Sequence, residues 1–159
     1  EIKNYLIKEK RVAEDQAEVY AAFARGNLGK AEHLAESEEF QAVYQTMLAL
    51  LKHLRSMDIA ELMETIRKLK EDNLNLDECL DCMQLWYRDL LYAKRLRSEK
   101  DLIQKDKKAE IFKSAVESEG ELARKAALIQ RARVQLARNA NFRLTMEVML
   151  LQLKENQTV

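Results

Sequence analysis

Leu76-Asp77-Glu78-Cys79-Leu80-Asp81-Cys82-Met83-Gln84-Leu85-Trp86-Tyr87-Arg88-Asp89-Leu90-Leu91-Tyr92-Ala93-Lys94-Arg95-Leu96 is the stretch whose reading decides the fold. Leu76, Leu80, Met83, Tyr87, Leu90 and Leu91 recur at helical spacing and form one apolar stripe. Leu85, Tyr92 and Leu96 form a second stripe on the opposite side. A helix on the surface needs only one stripe, so residues 76–97 read as a central helix. Internal packing is the preferred role for the second stripe, ahead of a subunit interface.

The same periodicity extends in both directions. Residues 13–25 carry Ala17, Tyr20, Ala21 and Ala24 at helical spacing, and Gly26 suits a left-handed helix end. A short helix is expected over residues 28–36. Ser37 is placed to cap the next, over 38–56, with Phe40, Val43, Tyr44, Met47, Leu48, Leu51 and Leu54 on one face. Asp58 and Glu61 have the spacing of a capping box, and Asn75-Leu76-Asp77-Glu78 is a similar start. Residues 98–117 are more polar, with a helix expected from about Lys107. Gly120 reads as a break before a helix over 121–138. Asn139-Ala140-Asn141 reads as a turn, with Asn141 capping a last helix. From 142 to 153, eight of twelve residues are large and apolar, which predicts burial nearly all round.

Composition agrees with an all-α protein. The 159 residues include no proline and three glycines, and 47% are hydrophobic. That apolar fraction is too high for a disordered chain. No apolar run approaches the roughly 20 residues that span a bilayer. Two cysteines cannot staple a small secreted fold, so a reduced, intracellular thiol pair is expected. A start other than Met suggests an excised fragment, and no signal-peptide pattern opens it. The net charge of zero hides a segregation. Residues 58–91 hold nine acids and four bases, and residues 121–143 hold six bases and one acid. Two solvated faces are the simple reading; surfaces that steer assembly with partner subunits are the sharper one.

No constellation of residues carries an enzyme signature. Gly26-Asn27-Leu28-Gly29-Lys30-Ala31 lacks the spacing and the preceding strand of a phosphate loop. Cys79 and Cys82 form a CxxC with no second pair, and His33 and His53 are distant, so buried thiols are expected and no metal or cofactor. Arg124, Arg131 and Arg138 recur every seven residues as a solvent-facing stripe, and Arg143 continues the charge. No aromatic residue interleaves with them, so a solvated face or protein interface is favoured over direct DNA contact. Arg133 falls on the apolar face of its helix and needs a partner. Asp89 is the expected one.

Trp86-Tyr87-Arg88-Asp89-Leu90-Leu91 resembles the W-x-R-D-L-L motif of the delta-prime subunit family of bacterial DNA polymerase III clamp loaders. Asn139 and Asn141, followed by Leu144, Glu147, Leu150 and Leu151, are similar to that family's N-x-N-x-x-L-x-x-E-x-x-L-L ending. Ala17 and the run from Ala21 through Gly26, Gly29 and Ala31 look like its A-x-L-A-x-G-S-x-G-x-A stretch. The three matches keep the family's order and span nearly the whole chain.

The resemblance implies a helical lid remnant over residues 1–36 and a helical-bundle collar domain over 37–159. It implies a bacterial, cytoplasmic assembly part that packs with gamma/tau and delta subunits into a five-membered collar supporting clamp loading. Hydrolysis of ATP and nucleotide transfer would belong to the parent assembly and not to this segment. Gly29 stands where gamma/tau subunits carry a sensor arginine, which favours delta-prime, although Lys30 is one residue along. The alternatives are the equivalent domain of gamma/tau, a helical nucleic-acid-binding domain using Arg124, Arg131 and Arg138, and a generic helical scaffold. Self-association of the isolated fragment is a further expectation.

Overall fold

A computed structural model describes residues 1–156. Nine α-helices and a 3-10 turn account for the secondary structure of those residues, with no strand among them. They are α1 (Ile2–Lys10), α2 (Glu14–Ala24), α3 (Leu28–Glu36), α4 (Glu38–His53), α5 (Ile59–Glu71), α6 (Leu76–Leu96), α7 (Lys108–Ser114), α8 (Glu119–Ala137) and α9 (Phe142–Lys154). The 3-10 turn, Lys105–Lys107, leads into α7.

The expected starts are made by side chains that accept otherwise unpaired N–H groups. Asn27 accepts from Lys30, Ser37 from Phe40, Asn75 from Glu78 and Asn141 from Leu144. Asp58 accepts from Glu61 N–H at 2.8 Å while Glu61 accepts from Asp58 N–H at 2.9 Å, so the capping box is complete. Glycine does little of the terminating. Arg11, Arg25, Asn73, Arg97 and Asn139 all adopt left-handed backbone, and among the glycines only Gly26 does. Gly120 does not break the chain as expected. Ser118 caps α8 from Glu121 N–H, and Gly120 sits in its first turn.

Helix α6 is central, as its double stripe suggests. It packs against α4, α7 and α8; α8 packs in turn on α9, and α9 on α5. Arg95 meets Glu119 at one end of α6, and Arg133 meets Asp81 toward the other, so α6 and α8 run antiparallel. Leu80, Met83, Trp86 and Leu90 are buried in the core. The second stripe divides: Leu85 is buried, but Tyr92 is 38% and Leu96 48% exposed, which corrects its assignment to internal packing. Helix α9 is corrected likewise. Met146, Met149, Leu150 and Leu153 are buried, whereas Leu144 and Val148 face solvent.

Helices α1, α2 and α3 pack on one another. They join the rest through Phe40 of α4, whose ring stands edge-on to Phe23 (centroids 5.2 Å) and Tyr20 (6.1 Å). Lys105 also reaches Glu18 at 3.0 Å, and Arg25 reaches Asp81. Met83 is fully buried at the middle of α6. Met83→Ala is expected to lower stability by about 2–5 kcal/mol, read as a lower denaturant midpoint at unchanged slope.

Candidate functional site

The motif 86–91 is built into the interior. Trp86, Tyr87 and Leu90 are buried, and burial pushes the Tyr87 phenol pKa up. Asp89 is wholly buried, and its carboxylate accepts from Ile103 N–H (3.1 Å), Gln104 N–H (2.8 Å) and the Gln104 amide (3.2 Å). Arg88 supplies a charge-assisted bond at 2.5 Å. Gln104 is itself buried, and its oxygen accepts from the Tyr44 hydroxyl at 2.8 Å. Burial likewise pushes the Tyr44 phenol up. One carboxylate therefore ties the connection after α6 to both α6 and α4. Arg88 also donates to the Asp101 carbonyl and lies over the Tyr92 ring at 4.1 Å.

Asp89 is thus not the partner of Arg133. Arg133 donates to Asp81 at 2.6 Å and to Gln84 at 3.1 Å, and approaches Asp77 at 3.5 Å. Arg25 reaches the same Asp81 oxygen at 3.0 Å. The correction is geometric: on α6 the side chain of Asp81 faces α8, and that of Asp89 faces the 98–107 connection. Beside this bridge is a cleft of ≈ 240 Å³ whose lining includes Ala22, Phe23, Arg25, Asp81, Gln84 and Leu85.

The basic stripe is also incomplete. Arg124 is half-buried; it pairs with Glu121 at 2.9 Å and donates to the carbonyls of Gln152 (3.4 Å) and Glu155 (3.0 Å). Its charge satisfies the carbonyl end of α9 rather than facing solvent. Arg131 and Arg138 are exposed and make no side-chain bond or ion pair among the described residues. Arg143 is exposed but is held by Glu147 at 2.6 Å. Asn139 adopts φ 59°, turning the chain, and Asn141 starts α9.

Lys125 is the functional-type residue that the sequence reading missed. It is 1% exposed, pairs with Glu117 at 2.8 Å and donates to Asn156 at 3.1 Å. Arg55 reaches Glu117 at 2.8 Å. The signal was present: Lys125 follows Leu122 by three residues and precedes Ile129 by four, which puts it on the buried face.

Cys79 and Cys82 are buried and free. Burial pushes both thiols up, Cys79 to about 11 and Cys82 higher still. Such thiols lack the thiolate character of reactive cysteines. Among the described residues no group of three or more His, Cys, Asp or Glu is arranged to hold a metal, and no helix is long and apolar enough to cross a membrane.

Exposed apolar side chains include Leu28, Ile59, Phe112, Val116 and Val134, and two patches formed by pairs on α6 and α9. Tyr92 and Leu96 lie at the C-terminal end of α6, and Leu144 and Val148 lie near the start of α9. Arg95 places the first patch beside the start of α8, and the Asn139 turn places the second beside its end. The patches are therefore at opposite ends of α8, whose 19 residues span about 28 Å.

Compared with known proteins, the chain matches no family model, no curated protein and no solved structure. The resemblance to clamp-loader subunits stands on the quoted motifs alone.

Three measurements check these assignments. Asp89→Ala is expected to cost about 3–5 kcal/mol because it strands Arg88 and the buried donors of Gln104. A double-mutant cycle between Asp81→Ala and Arg133→Ala is expected to give a coupling of about 1 kcal/mol, with none between Asp89 and Arg133. A thiol reagent at pH 8 is expected to modify neither cysteine in the folded chain and both after denaturation. Rapid labelling of the folded chain would contradict their burial.

Proposed function

We propose that this chain is a structural assembly module that binds a different neighbour at each end. In this reading it corresponds to the lid end (residues 1–36) and collar (37–159) of a clamp-loader delta-prime subunit, with no catalysis of its own. The observation that carries the reading is the pair of exposed apolar patches, Tyr92 with Leu96 and Leu144 with Val148, at opposite ends of α8. Exposed apolar pairs of this kind are candidate contact points, and two unlike ones fit a head-to-tail arrangement with two neighbours. The three sequence motifs and their order support the clamp-loader identity of the assembly.

Gly29 occupies the first turn of α3, where an added Cβ would meet only the Asn27 side chain at 3.6 Å. The fold therefore does not require glycine at this position, and the absence of an arginine there is what the delta-prime reading expects of a lid that does not sense phosphate. The nucleic-acid alternative is less well supported, because Arg124 is committed to the end of α9.

The test is sedimentation of the chain with purified gamma/tau and delta subunits. The expected result is a faster-sedimenting complex, with Tyr92→Glu and Leu144→Glu each removing a different neighbour. A folded chain that keeps its own sedimentation coefficient in every mixture would overturn the clamp-loader reading.

A further inference from the structure

Leu144 and Val148 are one helical turn apart on the outer face of α9, 60% and 47% exposed. Arg131 is exposed on α8, the helix beside it, and Arg138 is exposed at the C-cap of that helix, about 10 Å further along the axis. Neither arginine has a partner among the described residues, whereas Arg124, Arg133 and Arg143 are held by Glu121, Asp81 and Glu147. The only acid on α9 is Glu147, which Arg143 occupies, and the acids of α8 lie in its first turn, at the far end. On α5, which also packs on α9, Glu64 and Glu71 are held by Arg67, so the α8–α9 pair presents an apolar strip and two unpaired arginines.

We infer that this face of the α8–α9 pair docks an acidic amphipathic helix from another protein. The inference rests on the assembly reading above and names the chemistry of one of the two neighbours. Leu144 and Val148 would form the dehydrated centre of the contact, against apolar side chains of the partner at i, i+4 spacing. Arg131 and Arg138, two turns apart, meet carboxylates seven residues apart on the edge of that helix. A duplex fits less well. Phosphates laid along this face would bring charge against two aliphatic side chains, leaving apolar surface without an apolar partner and giving no platform for a base.

The test uses the full chain and three fluorescent probes that need no clamp-loader subunit. One is a helical peptide of about 20 residues with leucines at i, i+4 spacing and glutamates along the edge. The second is the same peptide with lysines in place of the glutamates, and the third is a short DNA duplex. Anisotropy is read at low and high salt. Binding of the glutamate peptide is expected, weakened about tenfold by R131E/R138E and again by Leu144→Asp, and reduced by salt. All three substituted positions are exposed, so the variants are expected to keep the parent helical circular dichroism.

Equal binding of the lysine peptide would overturn the inference. So would an affinity unmoved by R131E/R138E, or a duplex that binds through these arginines while the glutamate peptide does not. Sedimentation of the chain alone is the last arm: association lost in R131E/R138E would make a second copy the occupant and overturn the choice of a different partner. Binding of the glutamate peptide without any complex with gamma/tau or delta would sink the clamp-loader reading and leave this inference standing.

Discussion

The carboxylate of Asp89 organises one side of the molecule. It is removed from water at the centre of α6, and it keeps its charge compatible with burial by accepting from two backbone N–H groups, an amide and a guanidinium. Those donors bring Ile103 and Gln104 against α6, which in turn sets Leu102 and Ile111 into the core. The connection after α6 is polar and has little regular structure, so hydrophobic periodicity could not hold it in place. A single well-satisfied acid does so, and the start of α7 follows from it. Gln104 extends the hold to Tyr44 on α4.

Charges elsewhere are used the same way, as ties between elements. Asp81 collects Arg25 from α2 and Arg133 from α8, and Glu117 collects Arg55 and Lys125. Arg124 and Lys154 satisfy carbonyls near the ends of α9 and α4. Once these internal obligations are removed, the net charge of zero has a plainer meaning. Of the six bases over 121–143, Arg124, Lys125 and Arg133 are spent on internal ties, Arg143 pairs with Glu147 at the surface, and Arg131 and Arg138 are left unpaired there. The apolar surface sorts in a similar way: the inner faces of α6 and α9 build the core, and their outer faces leave Tyr92, Leu96, Leu144 and Val148 uncovered.

Much of the fold was legible locally. The starts at Ser37, Asp58, Asn75 and Asn141 were readable because each cap is a bond between residues three positions apart. Gly120 misled because a glycine in a first helical turn loses little, and Ser118 upstream supplied the real cap. Arg133 was recognised as needing an acid, but α6 offers four, Asp77, Glu78, Asp81 and Asp89. Choosing Asp81 over Asp89 depended on the rotation of α8 against α6, which no local pattern contains. Lys125 was overlooked because its charge outweighed its spacing.

The sequence by itself determined the class and most element boundaries, since helical period, capping and the scarcity of glycine and proline act over a few residues. It also pointed to a central α6 through its two stripes, although the second stripe is buried only at Leu85. Only the tertiary structure decided which cations are free, which carboxylate serves which arginine and which apolar faces stay exposed. Those outcomes depend on how helices are rotated against one another, and a rotation of one helix by a fraction of a turn exchanges a buried side chain for a solvated one.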